Sequence, residues 1–329
     1  MLHKFFAYLF RHQVVLALFL FIFGWFLIQI KEILVSVFLS YIIMSSVLPL
    51  VNHLHKNGVP KVFAVLIPYL AIVALIATLL MSLIPFASAQ ITSLANNFPR
   101  YLDRSATNLG LQLDPKAVES YFDGQLATIG SNAIGLTGKV FGGVFSVLTI
   151  FIVSFYWLMY HDNFKKFLAR QFPHHLHDDV RETIDKINEK LGAWLRGEIV
   201  LMFFIGLMSW IALTIIGIPY ALPLAILAGL LEIVPTLGPI LSAIPAVIVA
   251  FTISPTLAIF VVIAYIIIQA AENHILVPKI MEKAVGLNPV VVILSIMIGA
   301  NLMGVAGALL AIPFVSFLVV IFQSIEERK

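Results

Sequence analysis

The sequence predicts an all-α, polytopic helical membrane protein, and three observations support that fold class. Of the 329 residues, 61% are hydrophobic and only 11% are charged, whereas soluble globular domains carry about 25% charged residues. The mean hydropathy is +1.03. The apolar residues also form successive runs of span length, because a helix needs about 20 residues to cross the hydrocarbon core of a bilayer. A chain of this length has room for about six to eight such helices.

Composition and charge exclude several classes of function. The formal net charge of +3 is small and dispersed, and the sequence has no basic, aromatic-interleaved patch of the kind that binds nucleic acid. The chain contains no cysteine, which excludes disulfides, thiolate metal sites and a cysteine nucleophile. Lys4 and Arg11 precede the apolar run 14–30. Because this run is longer than a signal-peptide core and lacks a small-residue cleavage site, we interpret it as a retained first span.

The N-terminal part is predicted to contain four spans and one large extramembrane insertion. Residues 1–85 hold transmembrane helices 1–3, which we place at 14–30, 33–51 and 62–85. The charged pair Lys31-Glu32 between the first two helices predicts a tight turn. Residues 86–139 carry mixed charges, and we expect a periplasmic helical insertion there. Transmembrane helix 4, at 140–160, ends in aromatic residues, as is typical of a membrane interface.

Residues 161–197 are predicted to be a cytoplasmic amphipathic segment. They carry seven Lys and Arg residues, the densest basic region of the chain, and an excess of these residues marks the cytoplasmic side. Apolar residues recur there in steps of four and three, at Val180, Ile184, Ile187, Leu191 and Trp194. This spacing predicts a helix with one apolar stripe. We expect the stripe to lie on the bilayer or to dock against a neighbouring subunit.

Residues 198–329 are predicted to form the functional core, with two repeats at 198–253 and 256–325. Each repeat begins with a simple span, 199–216 or 256–277, and continues into a longer apolar stretch, 221–253 or 289–324. At 1.5 Å per residue each stretch would be about 50 Å long if straight. The hydrocarbon core is only about 30 Å thick. We therefore expect both stretches to be broken helices.

Glycine and proline recur at matching positions in the two stretches. Pro223 lies 15 residues before Gly238, and Pro289 lies 15 residues before Gly304. Proline returns after each glycine, at Pro245 and Pro313. Interrupted segments at matching positions of two halves are typical of the binding site of a secondary transporter.

Glu232 lies just ahead of the first interruption, which contains Pro235, Gly238 and Pro239. In hydrocarbon a broken helix persists only where protein or a water-filled cavity satisfies the freed backbone groups. A carboxylate in an apolar run also costs about 2.5–3.5 kcal/mol on insertion scales. Together these features predict a site. The alternative interpretation is that the prolines kink a packed helix and Glu232 caps the freed amides.

The distribution of Lys and Arg predicts the orientation. The connections 217–222 and 250–255 carry no charge, whereas 278–288 contains Lys279 and Lys283. If each broken stretch returns to the side it entered, all basic loops are cytoplasmic and the two halves form an inverted repeat. If each stretch crosses once, the two lysines lie outside. The charge bias favours the first arrangement, with both termini cytoplasmic, and the single-crossing arrangement stays open.

Several segments form recognisable motifs. They are Glu232-Ile-Val-Pro-Thr-Leu-Gly-Pro239, Glu272-Asn-His-Ile-Leu-Val-Pro-Lys279, Leu287-Asn-Pro289, Gly299-Ala-Asn-Leu-Met-Gly-Val-Ala-Gly-Ala-Leu-Leu-Ala-Ile-Pro313, Leu195-Arg-Gly197, and Leu158 to Asp162 followed by Phe172-Pro173. These motifs resemble those of the autoinducer-2 exporter family, and the similarity covers essentially the whole chain. Glu198 stands where the family usually has glutamine, which adds an acid at the cytoplasmic mouth.

The resemblance implies secondary transport. Members of the family are assigned to export of the quorum-sensing signal autoinducer-2, and others to sodium(lithium)/proton antiport. We therefore expect an exporter of a small polar solute, coupled to an ion gradient and located in the bacterial inner membrane. The alternative is a sodium(lithium)/proton antiporter.

The broken stretches and the nearby acids supply the predicted substrate and ion site. Its residues are Glu232, Pro235, Gly238, Pro239, Glu272, Asn273, Asn301, Gly304 and Pro313, with Arg196 and Glu198 at the cytoplasmic mouth. A carboxyl group in a low dielectric favours its neutral form and can exchange protons near neutral pH. With freed backbone carbonyls, the same group could instead bind Na⁺. Glu198 has an alternative interpretation as an interfacial ion pair with Arg196, and we expect Glu272 to lie nearer the interface than Glu232.

Two other classes of function are weighed against transport. An enzyme would need a nucleophile–base pair or a ligand cluster within the spans, and the sequence contains no such motif, so we predict no catalytic residues, metal or cofactor beyond H⁺ or Na⁺. A membrane scaffold would not need paired broken helices with an embedded acid. The predicted partners are the lipid bilayer, a small polar solute or monovalent cation, and further copies of the chain in a homo-oligomer, without nucleic acid.

Overall fold

The computed structural model of the chain describes residues 13–79, 81, 146–234, 237–281 and 286–327, and that part contains helices and no β-strand. The predicted insertion at 86–139 and the predicted site residue Pro235 lie outside the described residues. Five of the described helices are long and apolar enough to span a membrane. The predicted all-α, polytopic membrane fold is therefore confirmed.

The helices are numbered here in chain order. The N-terminal half contains α1 (Gln13–Gln29), α2 (Lys31–Lys56), α3 (Lys61–Leu79), α4 (Ser146–Met159) and α5 (His161–Ala169). The C-terminal half contains α6 (His177–Ile216), α7 (Ala221–Leu231), α8 (Leu237–Ile253), α9 (Pro255–Ala271), α10 (Val277–Met281) and α11 (Pro289–Glu326). One π-helical turn, Glu272–Leu276, joins α9 to α10.

Helices α1 and α2 meet at a single residue and do not form the tight turn predicted at Lys31-Glu32. Ile30 has φ −97° and ψ 10°, and the N–H groups of Ile30 and Leu34 each donate to the carbonyl four residues back. Lys31 and Glu32 belong to the first turn of α2. Nearly all described side chains of α1 are exposed, so α1 does not pack back along α2.

Helix α6 joins the predicted cytoplasmic segment to the predicted fifth span. It runs for 40 residues, about 60 Å, so the predicted boundary at 197–198 lies inside a continuous helix. Its apolar stripe is covered by the chain itself, because Ile184, Ile187, Leu191 and Trp194 are buried, and the last three share a cluster with residues of α2 and α11. The stripe is therefore not a free face for the bilayer or a second subunit.

The first broken stretch is a helical hairpin of α7 and α8, called hairpin 1 here. Helix α7 runs back along α6, and a Cβ added to Gly229 would lie 2.6 Å from the carbonyl oxygen of Met202. Leu224 near the start of α7 and Val249 near the end of α8 share one cluster with Leu213, close to the C-terminal end of α6. Hairpin 1 thus begins and ends at the same end of α6.

The second broken stretch, α11, is also a hairpin and is called hairpin 2 here. Its helical dihedral angles are interrupted at Met303 (φ −142°, ψ 16°) and Gly304 (φ 62°, ψ −141°). A Cβ added to Gly307 would lie 2.0 Å from the carbonyl oxygen of Gly299. In a straight helix, residues eight positions apart are separated by about 12 Å. The two arms of α11 therefore fold back on each other at Gly304.

The two hairpins open at opposite ends of α6. After hairpin 2, Glu327 pairs with Lys186 in the N-terminal part of α6, with Nζ and Oε2 2.9 Å apart. Val292 and Ile296 of the first arm pack against the cluster that contains Leu191. This is the inverted arrangement that the charge distribution favours, and it differs from the single-crossing alternative.

Candidate ion and solute site

Three buried glutamates meet at the tip of hairpin 1. Glu198 is 1% exposed, Glu232 1% and Glu272 3%. Glu198 belongs to α6, Glu232 follows the last residue of α7, and Glu272 begins the π-helical turn after α9. Hairpin 1 thus ends among acids from two other elements.

Small residues bring these elements together. Cβ atoms added to Gly206 of α6 and to Gly229 of α7 would each lie 3.3 Å from backbone atoms of the facing helix or closer. A Cβ on Gly197 would lie 2.9 Å from the sulfur of Met281, beyond the π-helical turn. Small residues allow close backbone approach between membrane helices. The antiparallel course of α6 and α7 then places Glu232 beside the start of the apolar half of α6, where Glu198 lies.

The carboxyl groups of the cluster interact with one another and not with a basic residue. Glu232 and Glu272 lie close enough to share a hydrogen bond, and Glu198 lies within electrostatic range of both. Gln269 Nε2 donates to Glu272 Oε2 at 2.9 Å. One oxygen of Glu198 and one of Glu232 have no hydrogen-bond partner among the described residues, and no described Lys or Arg forms an ion pair with these glutamates.

This arrangement can hold a proton or a cation. Burying several carboxylates without compensating charge is strongly unfavourable. The group becomes stable if protons are shared between the oxygens or if a small cation lies among them. Two carboxyl oxygens without partners leave room for either. The site is therefore suited to holding H⁺ or a monovalent cation.

The break in hairpin 1 is tightly packed beside Glu232. A Cβ added to Gly238 would lie 2.2 Å from the carbonyl oxygen of Leu231 and 2.8 Å from the Cα of Glu232. Pro239 is buried as well. The N–H of Gly238 donates to the carbonyl of Val234 at 2.9 Å. The backbone carbonyl of Val234, beside the break, is therefore already engaged in a hydrogen bond.

The other predicted site residues divide into two groups. Asn273, Asn301 and Gly304 are exposed, so the described structure does not bring them into the buried glutamate cluster. Pro313 is buried in the second arm of hairpin 2. The paired breaks therefore do not form one common site in this structure, and the buried acids gather at hairpin 1 alone.

Arg196 and Glu198 do not form the interfacial ion pair that sequence analysis weighed. Arg196 Nη1 donates to the backbone carbonyl of Ser46 on α2 at 3.1 Å, whereas Glu198 turns inward to the other two acids. Glu272 is also more deeply buried than expected, because the π-helical turn directs it toward the tip of hairpin 1. Gln269, which sequence analysis did not single out, supports it. The sequence feature that could have identified Gln269 is its position three residues before an acid in an apolar helix.

Comparison with known proteins indicates the family of proteins to which this chain belongs. A family model described as AI-2E family transporter matches residues 14–327. The chain belongs to the AI-2E transporter family. The resemblance stated from the motifs is thereby confirmed, and the chain is a membrane protein of a transporter family.

Relatives within the AI-2E family cover most of the chain. It is 27% identical over 296 residues to a putative transport protein, YrrI, of Bacillus subtilis, covering 85% of this chain and 82% of that protein. It is 27% identical over 323 residues to the putative transport protein YueF of Bacillus subtilis, covering 93% and 87%. It is 25% identical over 295 residues to the AI-2 transport protein TqsA of Escherichia coli, covering 86% and 83%.

Proposed function

We propose that this AI-2E family member is a secondary transporter that exports a small polar solute across the bacterial inner membrane, driven by the exchange of H⁺ or Na⁺ at the three-glutamate cluster. The observation that carries the proposal is the meeting of Glu198, Glu232 and Glu272, each at most 3% exposed, at the tip of hairpin 1. Ionisable residues inside a membrane protein typically mark ion pathways.

The chemistry of the cluster supports coupling in particular. Binding one cation or proton removes the repulsion among the acids and so changes the energy of hairpin 1 relative to α6 and α9. A bound ion that favours one hairpin position over another shifts the population of transport states. Glu232 is the central residue, because it lies at the break in hairpin 1 and adjoins Glu272.

A sodium(lithium)/proton antiporter is the second candidate. It is favoured by the acids themselves, since three carboxyl groups can bind Na⁺ and H⁺ in competition without any organic solute. The two candidates differ in one outcome: an antiporter exchanges H⁺ for Na⁺ in liposomes that contain no other solute, whereas a solute exporter requires the solute.

Flux in proteoliposomes tests the proposal. Autoinducer-2 serves as the first test solute, because the relative TqsA is named an AI-2 transport protein. Uptake is measured separately under a proton gradient, under a sodium gradient and with no gradient. We expect Glu232→Gln to lose gradient-driven accumulation down to the level of empty liposomes and to retain exchange of solute down its own gradient.

The matched control is Glu189→Gln, an exposed acid on α6, which should accumulate solute like the parent. Glu272→Gln should lose coupling to a similar extent as Glu232→Gln, because the structure buries both acids side by side. If Glu232→Gln accumulates solute as well as the parent under every gradient, the coupling role is wrong and the residue only caps the break.

A further inference from the structure

A second buried polar cluster lies between α6, α8 and α9, which adjoin hairpin 1 or belong to it. Ser209 on α6 and Ser242 on α8 are 0% exposed, and Tyr265 on α9 is 7% exposed. Their surroundings are apolar: Tyr265 belongs to the cluster that contains Leu213 and Leu224. Each hydroxyl comes from a different helix.

Two of the three hydroxyl groups in this cluster lack a hydrogen-bond partner among the described residues. Ser242 Oγ donates to the carbonyl of Pro239 at 3.0 Å. The hydroxyls of Ser209 and Ser242 are the polar neighbours of the Tyr265 hydroxyl. Even so, among the described residues neither Tyr265 Oη nor Ser209 Oγ has a hydrogen-bond partner of normal geometry. Leaving a buried hydroxyl without a partner costs about 1–3 kcal/mol.

If the hydroxyls only linked neighbouring helices, they would be expected to hydrogen-bond each other directly. The same chain contains an example of such a pair. In the N-terminal half, the hydroxyls of Tyr69 and Ser154 are bonded directly to each other across α3 and α4. In that pair each hydroxyl has a hydrogen-bond partner. In the cluster of Ser209, Ser242 and Tyr265, the hydroxyls of Ser209 and Tyr265 lie near each other, and neither has a hydrogen-bond partner of normal geometry among the described residues. A third group that both donates and accepts would complete it.

The hydroxyl cluster lies between the glutamates and the C-terminal end of α6. Tyr265 precedes Glu272 by seven residues along α9, about 10 Å. Ser209 follows Glu198 by eleven residues along α6, about 16 Å. Both steps lead toward the C-terminal end of α6, where hairpin 1 opens. A solute that travels along hairpin 1 between this end and the glutamates would pass the hydroxyls.

We propose that Ser209, Ser242 and Tyr265 form a binding site on the transport route for an uncharged, hydroxyl-bearing group of the solute. The inference rests on the proposed transport function and names the solute class. The site offers two free donors and several acceptor lone pairs but no charge, so it accepts a hydroxyl group and disfavours a carboxylate or an ammonium group. In the absence of solute, water fills the same hydrogen-bonding role.

Cysteine accessibility tests the site without knowledge of the solute, because the chain has no cysteine of its own. Ser209→Cys and Ser242→Cys are nearly isosteric changes. In liposomes, both are expected to react with a small methanethiosulfonate reagent, because the route is hydrated in part of the transport cycle. The matched control is Ser154→Cys, which is equally buried at 0% exposed but lies in the bonded pair with Tyr69 and should stay unmodified.

A second variant keeps the proposal falsifiable if a cysteine disturbs folding. Tyr265→Phe removes one hydroxyl and retains the ring, so it should leave thermal stability at or above that of the parent and lower the downhill exchange of a hydroxylated solute. Tyr69→Phe is its control, and it should leave exchange unchanged. Equal reaction rates of Ser209→Cys and Ser154→Cys, or parental exchange in Tyr265→Phe, would overturn the proposal.

Failure of this site and failure of ion coupling give different results. If the hydroxyl site is wrong but coupling is right, Glu232→Gln loses accumulation while Ser209→Cys stays unreactive. If coupling is wrong but the hydroxyl site is right, Ser209→Cys reacts and is protected by solute, while Glu232→Gln accumulates solute like the parent.

Discussion

At the scale of single residues, the protein keeps ionisable groups in two different surroundings. Glu198, Glu232 and Glu272 are gathered together without a basic partner among the described residues, which is an unfavourable arrangement for a purely structural core. A buried charged group is often replaced by apolar residues without loss of stability. Their gathering at the tip of hairpin 1 therefore supports the proposed role in ion exchange.

His161, at the start of α5, shows the opposite case of a buried group among balanced charges. It is 9% exposed, and burial lowers its pKa below the ordinary value of 6.5. The charged groups that face it are Asp162 and Lys165 of α5, Asp185 of α6 and Lys61 of α3. Lys61 pairs with Asp162, and Lys165 pairs with Asp185. The neighbours therefore offset one another, and burial decides the direction.

This lowered pKa predicts a pH dependence of stability. The folded protein takes up a proton at His161 less readily than the unfolded chain does, so the unfolded chain binds more protons below about pH 6.5. Stability from neutral His161 is present above that pH and is lost as the pH falls through it. Thermal unfolding in detergent should show a smaller fall in Tm between pH 8 and pH 5.5 for His161→Gln than for the parent. An exposed control, His175→Gln, should behave like the parent; an equal fall in His161→Gln would contradict the assignment.

At the scale of elements, each hairpin depends on one glycine for a different reason. At Gly238 the limit is steric, because the added Cβ would meet the backbone of Leu231 at 2.2 Å. At Gly304 no atom lies within 4 Å of an added Cβ, but φ is +62°. Such a backbone conformation strains any residue with a side chain, by about 1–3 kcal/mol. Gly238 allows the two arms of hairpin 1 to come into contact, and Gly304 allows the chain to reverse direction in hairpin 2.

Alanine substitutions should separate these two effects. Gly304→Ala is expected to lower the stability by about 1–3 kcal/mol and to reduce flux in proportion to the folded protein. Gly238→Ala should reduce flux more, since the displaced backbone adjoins Glu232. Gly24→Ala, in open space on α1, is the control and should not lower Tm. The measurements are thermal unfolding and liposome flux at equal protein content, and a parental Tm for Gly304→Ala would refute the strain argument.

The sequence predicted the breaks and grouped Glu232 with Glu272 in one site, but it did not predict that Glu198 lies beside them. The 15-residue spacing from Pro289 to Gly304 located the reversal of hairpin 2, because glycine and proline act through local backbone geometry. Glu198 and Glu232 are 34 residues apart, and nothing local connects them. Their approach depends on how closely α6 and α7 pack at Gly206 and Gly229, which is a tertiary property. Arg196 lies two residues from Glu198, so the sequence suggests an ion pair between them. In the structure Arg196 instead donates to the backbone carbonyl of Ser46.

At the scale of the whole molecule, the two hairpins enter the C-terminal half of the protein from opposite ends. Hairpin 1 opens at the C-terminal end of α6 and hairpin 2 at the other end, where Glu327 pairs with Lys186. Elements that enter from opposite sides and overlap in the bilayer can provide access alternately from each side. The proposed hydroxyl site of Ser209, Ser242 and Tyr265 lies between the glutamate cluster and the end of α6 at which hairpin 1 opens.

This arrangement predicts which connections face which side of the membrane. The excess of basic residues predicts a cytoplasmic position for the N-terminal end of α6, so Lys279→Cys and Glu326→Cys should be shielded from an impermeant maleimide added to intact cells. Leu222→Cys and Ile253→Cys, at the two ends of hairpin 1 and 53% and 49% exposed, should both be labelled. Permeabilised cells give the reference level of labelling for all four variants. Labelling of Leu222→Cys without Ile253→Cys would mean that the first broken stretch crosses the membrane once. External labelling of Lys279→Cys would place the start of hairpin 2 outside and refute the inverted orientation.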